Sequence, residues 1–176
     1  MALEIERRFL VAGDGWRSHV RWRQSLRQGY LAGGPEGFTV RVRQADDQAW
    51  LTLKASASTD GLVRHEFEYP IPYQDADDLL ALAPKALAKC RYGLELPGGE
   101  WVLDVFEGPN APLVVAEVEL SDPGAVQRLR ALPLPAWCVQ EITGRPELSN
   151  AALAAHPLAS WSAAARDPLL RLMRLS

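Results

Sequence analysis

Cysteine is almost absent. Cys90 and Cys138 are the two in 176 residues, and without a C-x-x-C spacing they offer neither a secreted disulfide framework nor a thiolate metal site, so both read as buried thiols. Histidine is nearly as scarce: His19, His65 and His156 stand singly, without the i, i+4 spacing of a zinc-binding helix, and each reads as a surface or packing residue. Long apolar runs are missing too. The opening MALEIERRFLV is charged by its fourth residue, has no apolar signal region, and no later stretch is long enough to span a bilayer, so a soluble, cytoplasmic protein with no membrane partner is expected. Neither G-x-x-x-x-G-K-[ST], G-x-G-x-x-G nor G-x-S-x-G occurs, which excludes the common backbone phosphate cradles and the serine-hydrolase elbow. A strong charge imbalance is lacking as well. A net charge of −3 and a pI near 5.6 leave no broad electrostatic footprint for nucleic acid, so a bound anion must sit in a local pocket.

What is present is 48% hydrophobic residues, enough for one core, and a repeated spacing of charge. Glu4-x-Glu6-x-Arg8, Arg41-x-Arg43, Glu66-x-Glu68, Lys89-x-Arg91 and Glu117-x-Glu119 each place ionisable residues two apart, and Lys54 and Asp104 lie in similar runs. Alternate residues of a strand share a face, so each pair projects from one side while Ile5, Val42, Leu53, Phe67, Cys90, Val105 and Val118 project from the other. Turn residues separate these runs. They predict strands over 3–11, 29–32, 38–44, 49–55, 64–71, 86–95, 101–106, 113–120 and 139–143. Helices are predicted over 14–23, 75–82, from the Ser121-Asp122-Pro123 cap to about 132, and over 149–161 with a break at Pro157. Seven to nine strands joined mostly by hairpins favour an α+β chain: an antiparallel β-barrel with helices packed outside.

Any one alternating strand is what a half-exposed antiparallel sheet shows, and its charges can be solvated pairs. The joint pattern argues for more. Eight acids (Glu4, Glu6, Glu66, Glu68, Asp104, Glu117, Glu119 and Glu141) and six bases (Arg8, Arg41, Arg43, Lys54, Lys89 and Arg91) fall on one set of faces, where a solvated face would carry Ser, Thr, Asn and Gln. Trp50, Phe67, Tyr69, Trp101 and Val105 are assigned to the opposite, helix-covered faces. A sheet with such a face, curled on itself, makes a wet tunnel suited to a polyanion and hard metal ions, since Arg binds phosphate bidentately and Mg²⁺ or Mn²⁺ prefers carboxylate and phosphate oxygens.

The segment Glu4-Ile5-Glu6-Arg7-Arg8 resembles the E-x-E-x-K signature of the CYTH superfamily, the triphosphate tunnel metalloenzymes. The likeness continues through Gln28-Gly29-Tyr30-Leu31, Val40-Arg41-Val42-Arg43, Leu51-Thr52-Leu53-Lys54, Glu66-Phe67-Glu68-Tyr69, Lys89-Cys90-Arg91-Tyr92, Asp104-Val105-Phe106, Ala116-Glu117-Val118-Glu119-Leu120 and Glu141-Ile142-Thr143-Gly144. It spans a domain over residues 1–161, leaving 162–176 as a helical tail, and is similar to the compact bacterial branch that hydrolyses inorganic tripolyphosphate. The resemblance implies an eight-stranded antiparallel tunnel around a linear triphosphate. Arg8, Arg41, Arg43, Lys54, Lys89 and Arg91 would bind its oxygens, with Arg8, Tyr30 and Lys89 nearest the chemistry. Glu4, Glu6, Glu117 and Glu119 would lead the metal ligands, with Glu66, Glu68 and Asp104 completing the acidic shell around Mg²⁺ or Mn²⁺. The implied reaction is in-line attack of water on a terminal phosphoryl group. An adenylate cyclase, a thiamine triphosphatase and a non-catalytic triphosphate or polyphosphate binder remain as alternatives, and monomer and homodimer are both open. The chain departs from the signature at Arg8, where Lys is expected.

Overall fold

The computed structural model describes residues 3–33, 38–120, 122, 124 and 126–174. Its strands are β1 (Leu3–Val11), β2 (Val20–Ala32), β3 (Thr39–Ala45), β4 (Gln48–Ser56), β5 (Val63–Pro70), β6 (Lys85–Leu94), β7 (Glu100–Phe106), β8 (Val114–Leu120) and β9 (Cys138–Glu141). The helices are α1 (Tyr73–Leu82), α2 (Val126–Arg130), α3 (Asn150–Ala155) and α4 (Ala163–Met173). Hydrogen bonding runs in the order β5-β4-β3-β2-β6-β7-β8-β1, every pair is antiparallel, and a β5–β1 pairing closes these strands into an eight-stranded barrel. Closure leaves β1 one edge to divide. Residues 3–5 pair with β5, and from Phe9 onward the same strand pairs with β9.

Alternation decides which side chains go where. On β1, Ile5, Phe9 and Val11 point outward into a cluster with Trp16, Trp101, Leu103, Val118 and Leu129, while Glu4, Glu6 and Arg8 point inward. A second cluster joins Leu10, Leu87, Phe106 and Val115 to Leu148, Leu153, Leu158 and Leu169. The polypeptide after β9, including α3 and α4, thus packs apolar residues against one end of the barrel. A third, smaller cluster seats Ala76 and Leu80 of α1 on Val42 and Ala49. Gly29 permits that approach, because a Cβ there would lie 2.8 Å from the Ala83 methyl and 2.9 Å from Leu80.

Several expectations differ from these elements. The helix expected over 14–23 is a 3₁₀ turn at Gly15–His19 followed directly by the thirteen-residue strand β2. The spacing of Trp16 and Val20 mimics a helical face, but register with β6 runs from Val20 to Tyr30 and decides the conformation. The helix expected over 149–161 with a break at Pro157 is α3, interrupted before Pro157 and followed by a short 3₁₀ turn at Leu158–Ser160, with α4 beyond it. Trp50 faces the barrel interior opposite Arg43 rather than an outer helix, and Phe67 and Tyr69 are exposed. Glu141 lies on the outer side, paired with Phe9. The expected cap at Ser121 and Pro123, and most of the turn over 33–37, fall outside the described residues.

Candidate active site

Inside the barrel is a cavity of about 270 Å³. Its acids come from the adjoining strands β8, β1 and β5, as Glu117, Glu119, Glu4, Glu6, Glu66 and Glu68, with Arg8 and Arg64 among them; β4, β3 and β6 contribute the bases Lys54, Arg41, Arg43 and Arg91. Ion pairs stitch the two arcs together. Lys54 Nζ donates to both Glu4 oxygens at 2.8 Å and lies 3.1 Å from Glu66. Arg41 Nη2 donates to Thr52 Oγ1 at 3.1 Å and Glu68 Oε2 at 3.3 Å. Arg91 donates through Nε and Nη2 to the two oxygens of Asp104 (2.7 and 2.8 Å), and through Nη2 to Glu117 at 3.0 Å. Arg8 donates to Glu117 from Nε at 3.2 Å and to the Leu148 carbonyl from Nη1 at 3.0 Å.

Donors remain after these pairs are made. Arg8 Nη2 and Arg41 Nε are buried without a partner. Arg43 forms no ion pair among the described residues and donates to Gln28 Oε1 at 3.2 Å. Burial, with Arg41 and Arg91 close by, pulls its pKa down to about 10. Buried polar groups are ordinarily satisfied, so unused guanidinium hydrogens around one cavity mark a place for an anion. Tyr30 adds a hydroxyl that accepts from Gln28 Nε2 at 3.0 Å, which leaves its own proton available for donation.

The acidic arc has the complementary excess. Burial and then the neighbouring Glu4 and Glu117 push Glu6 up to about 8, and burial followed by Glu4 and Glu66 pushes Glu119 up to about 7. Glu4 and Glu117 are lowered instead: burial opposes their ionisation, but Lys54 outweighs it for Glu4 and Arg91 for Glu117, which falls to about 2. Oxygens of Glu4, Glu66 and Glu119 lie within 4.8 Å of one another. An all-carboxylate set of this kind, whose Glu119 is pushed up partly by its acidic neighbours, fits a hard divalent cation, which would replace the proton Glu119 retains.

Most residues expected at the site line this cavity: Glu4, Glu6, Arg8, Tyr30, Arg41, Arg43, Lys54, Glu66, Glu68, Arg91, Glu117 and Glu119. Lys89 and Asp104 do not. Both are fully buried behind the wall, where Lys89 Nζ donates to Asp104 at 2.6 Å and to Asn150 Oδ1 at 2.9 Å, with the Phe106 ring 5.3 Å away. Burial lowers the Lys89 pKa to about 7 against the pull of Asp104, whose own value is held well below the usual range by Arg91 and Lys89 despite burial. Sequence reasoning missed Thr39, Arg64, Ser149, Asn150 and Ala151 in the lining. Arg64 shares the parity of Glu66 and Glu68, so the same spacing rule identifies it. Asn150 and its neighbours arrive on α3, whose position in the barrel no local spacing encodes.

A family model described as the CYTH domain matches residues 2–133. The chain belongs to the CYTH domain family. It is 37% identical over 159 residues to an inorganic triphosphatase of Acetivibrio thermocellus, covering 89% of this chain and 96% of that protein. It is 38% identical over 155 residues to an inorganic triphosphatase of Nitrosomonas europaea, covering 86% and 96%. Among solved structures, that of an inorganic triphosphatase matches with a TM-score of 0.60 and 34% identity over 88% of this chain and 95% of the other. The CYTH barrel and this chain's closed β-sheet are therefore the same fold.

Proposed function

We propose that this CYTH chain hydrolyses inorganic tripolyphosphate to diphosphate and phosphate in a reaction that requires Mg²⁺ or Mn²⁺. The observation carrying the reading is one cavity that holds both unpartnered guanidinium donors, on Arg8 and Arg41, and a carboxylate cluster of Glu4, Glu66 and Glu119. The names of the relatives at 37% and 38% identity support the same substrate.

Arg8, Arg41, Arg43, Lys54 and Arg91 bind the non-bridging oxygens, and Tyr30 donates its hydroxyl proton to one more. A divalent cation held by Glu4, Glu66 and Glu119, with Glu6, Glu68 and Glu117 around them, would neutralise phosphate charge and make water a stronger nucleophile. The guanidinium groups hold the equatorial oxygens as charge redistributes in the transition state, and their fixed ion pairs keep them preorganised for it. Lys89 and Asp104 act from behind: Asp104 fixes the plane of Arg91 through two hydrogen bonds, and Lys89 ties Asp104 to Asn150.

One observation favours a second reading, an organic triphosphate ester. A cavity of about 430 Å³ lined by Leu31, Pro84, Pro146 and Ala155 shares Tyr30, Thr39, Ser149 and Ala151 with the charged one, so an apolar group could rest beside bound phosphates. Phosphate release from tripolyphosphate, ATP and thiamine triphosphate, run beside an assay for cyclic AMP, separates the readings. Turnover of tripolyphosphate well above the esters is expected, and its absence alongside ester turnover or cyclic AMP overturns the proposal.

A further inference from the structure

Arg8 is carried on β1 at the point where that strand changes partner. The Glu6 amide still donates to the Leu62 carbonyl at the end of the β5 pairing, and β9 register begins at Phe9. The Arg8 amide falls in the gap, where a side chain receives it. Thr143 Oγ1 accepts it at 3.0 Å, while the Arg8 carbonyl accepts the Ile142 amide at 2.8 Å.

The threonine hydroxyl is itself oriented. It donates to Glu141 Oε1 at 2.8 Å, so a lone pair is left for the Arg8 N–H. Glu141 is fixed in turn by the neighbouring Arg7, which donates to it from Nε and Nη2 at 2.9 and 2.8 Å and to the Leu129 and Arg130 carbonyls from Nη1. Arg130 pairs with Asp60 in the loop that leads into β5. Behind Thr143 the chain has no room to drift. Gly61 and Gly144 both have φ of +71°, and a Cβ on Gly144 would lie 2.3 Å from the Asp60 carbonyl oxygen. The loop before β5 and the loop after β9 therefore meet directly outside Arg8.

We infer that Thr143, oriented by Glu141 and Arg7, is a positioning residue for the tunnel guanidinium of Arg8. The inference rests on the proposed phosphate-binding role of Arg8. Two of the three Arg8 nitrogens are already committed, to Glu117 and Leu148, so the free Nη2 reaches a phosphate oxygen only if the backbone beneath it stays in place. Such a small displacement affects the transition state more than ground-state binding, which the other cations of the cavity also supply.

The test compares tripolyphosphate turnover in the wild type, T143V, T143S, R8A and the T143V/R8A double variant. T143V, isosteric but without the hydroxyl, is expected to lower kcat about tenfold with KM changed less than about twofold, and T143S to restore wild-type turnover. In the R8A background T143V should have no further effect, because the hydroxyl acts through Arg8. Unchanged kcat in T143V, or the same proportional loss with and without Arg8, overturns the inference. Wild-type turnover in R8A would remove Arg8 from the proposed site and this inference with it. Should T143V fail to fold, E141Q, at a half-exposed position, tests the same chain: it is expected to lower kcat in the same direction, and full activity there overturns the inference.

Discussion

Replacing Asp104 by Asn keeps the shape of a fully buried carboxylate and removes its charge. In the native barrel that carboxylate accepts from Lys89 at 2.6 Å and from Arg91 at 2.7 and 2.8 Å, and both Asp104 and Lys89 are completely shielded from water. Removing one partner of a buried ion pair costs about 3–5 kcal/mol, because the remaining charge is left without compensation. Two features put D104N near the lower bound. Arg91 keeps Glu117 at 3.0 Å and Lys89 keeps Asn150 at 2.9 Å. Lys89, already at about 7, can also relieve the excess by losing its proton. For a chain of this size, about 3 kcal/mol corresponds to a fall in Tm of roughly 6–12 °C. The loss should be greatest near pH 6, where Lys89 is charged, and smaller at pH 9, where it is neutral. Thermal unfolding followed by circular dichroism in EDTA measures it, and tripolyphosphate should recover part of the loss by supplying oxygens to Arg91. A D104N protein that melts within about 2 °C of wild type in EDTA but no longer binds Mg²⁺ or Mn²⁺ would refute the counter-ion role and make Asp104 a metal ligand.

Two further outcomes are expected. R43A should raise the Kd for tripolyphosphate about 10- to 100-fold, the range for hydrogen bonds to charged groups, whereas R128A on exposed α2 should leave it unchanged; equal losses would contradict a charged interior site. In EDTA, stability should fall as pH rises from about 5 to about 7, because Glu6 and Glu119 titrate higher folded than unfolded and the folded state therefore holds more protons in that window; above it the depressed Lys89 acts in the opposite sense. Melting temperature against pH checks this, with E119Q expected to flatten the slope and a wild-type Tm that rises over the window counting against it.

The period of two was legible wherever a strand had a charged face, because the pleat fixes that face whatever the neighbours are. It located Arg41 and Arg43, Glu66 and Glu68, and Glu117 and Glu119 on the interior side without any knowledge of strand order. It could not say how deep along the barrel a residue sits. Arg91 and Lys89 share a face, yet Arg91 lines the cavity while Lys89 lies opposite Leu26 and Phe106, under cover. Trp50 shows what the rule decides against hydrophobicity: it is apolar and suggests an outer face, but it has the parity of Lys54, and the β3–β4 register sets it opposite Arg43. Glu141 illustrates the converse: an acid near the end of the chain whose register with Phe9 turns it outward to Arg7.

An eight-stranded barrel is narrow enough that side chains from its own strands usually fill it. Here they do so only toward one end, where Leu10, Leu87, Phe106 and Val115 meet Leu148, Leu153, Leu158 and Leu169. Phe9, Trp16, Trp101 and Val118 pack on the outer surface, and Ala76 and Leu80 seat α1. Because the hydrophobic contribution comes from the outside and from that end, the rest of the interior can hold charges that by themselves add little or nothing to stability. Their arrangement then answers two separate demands. Pairs such as Lys54 with Glu4 and Arg91 with Glu117 keep the empty cavity from repelling itself apart, and the donors those pairs leave unused are the ones available to a polyanion. At position 8 this favours a guanidinium over an ammonium on geometric grounds: Nε serves Glu117, Nη1 serves the Leu148 carbonyl, and Nη2 is still free, each along a direction fixed by one planar group. A lysine there would have to make the same contacts from a single nitrogen, so the departure from the E-x-E-x-K pattern is matched by a site with three separated places for its donors.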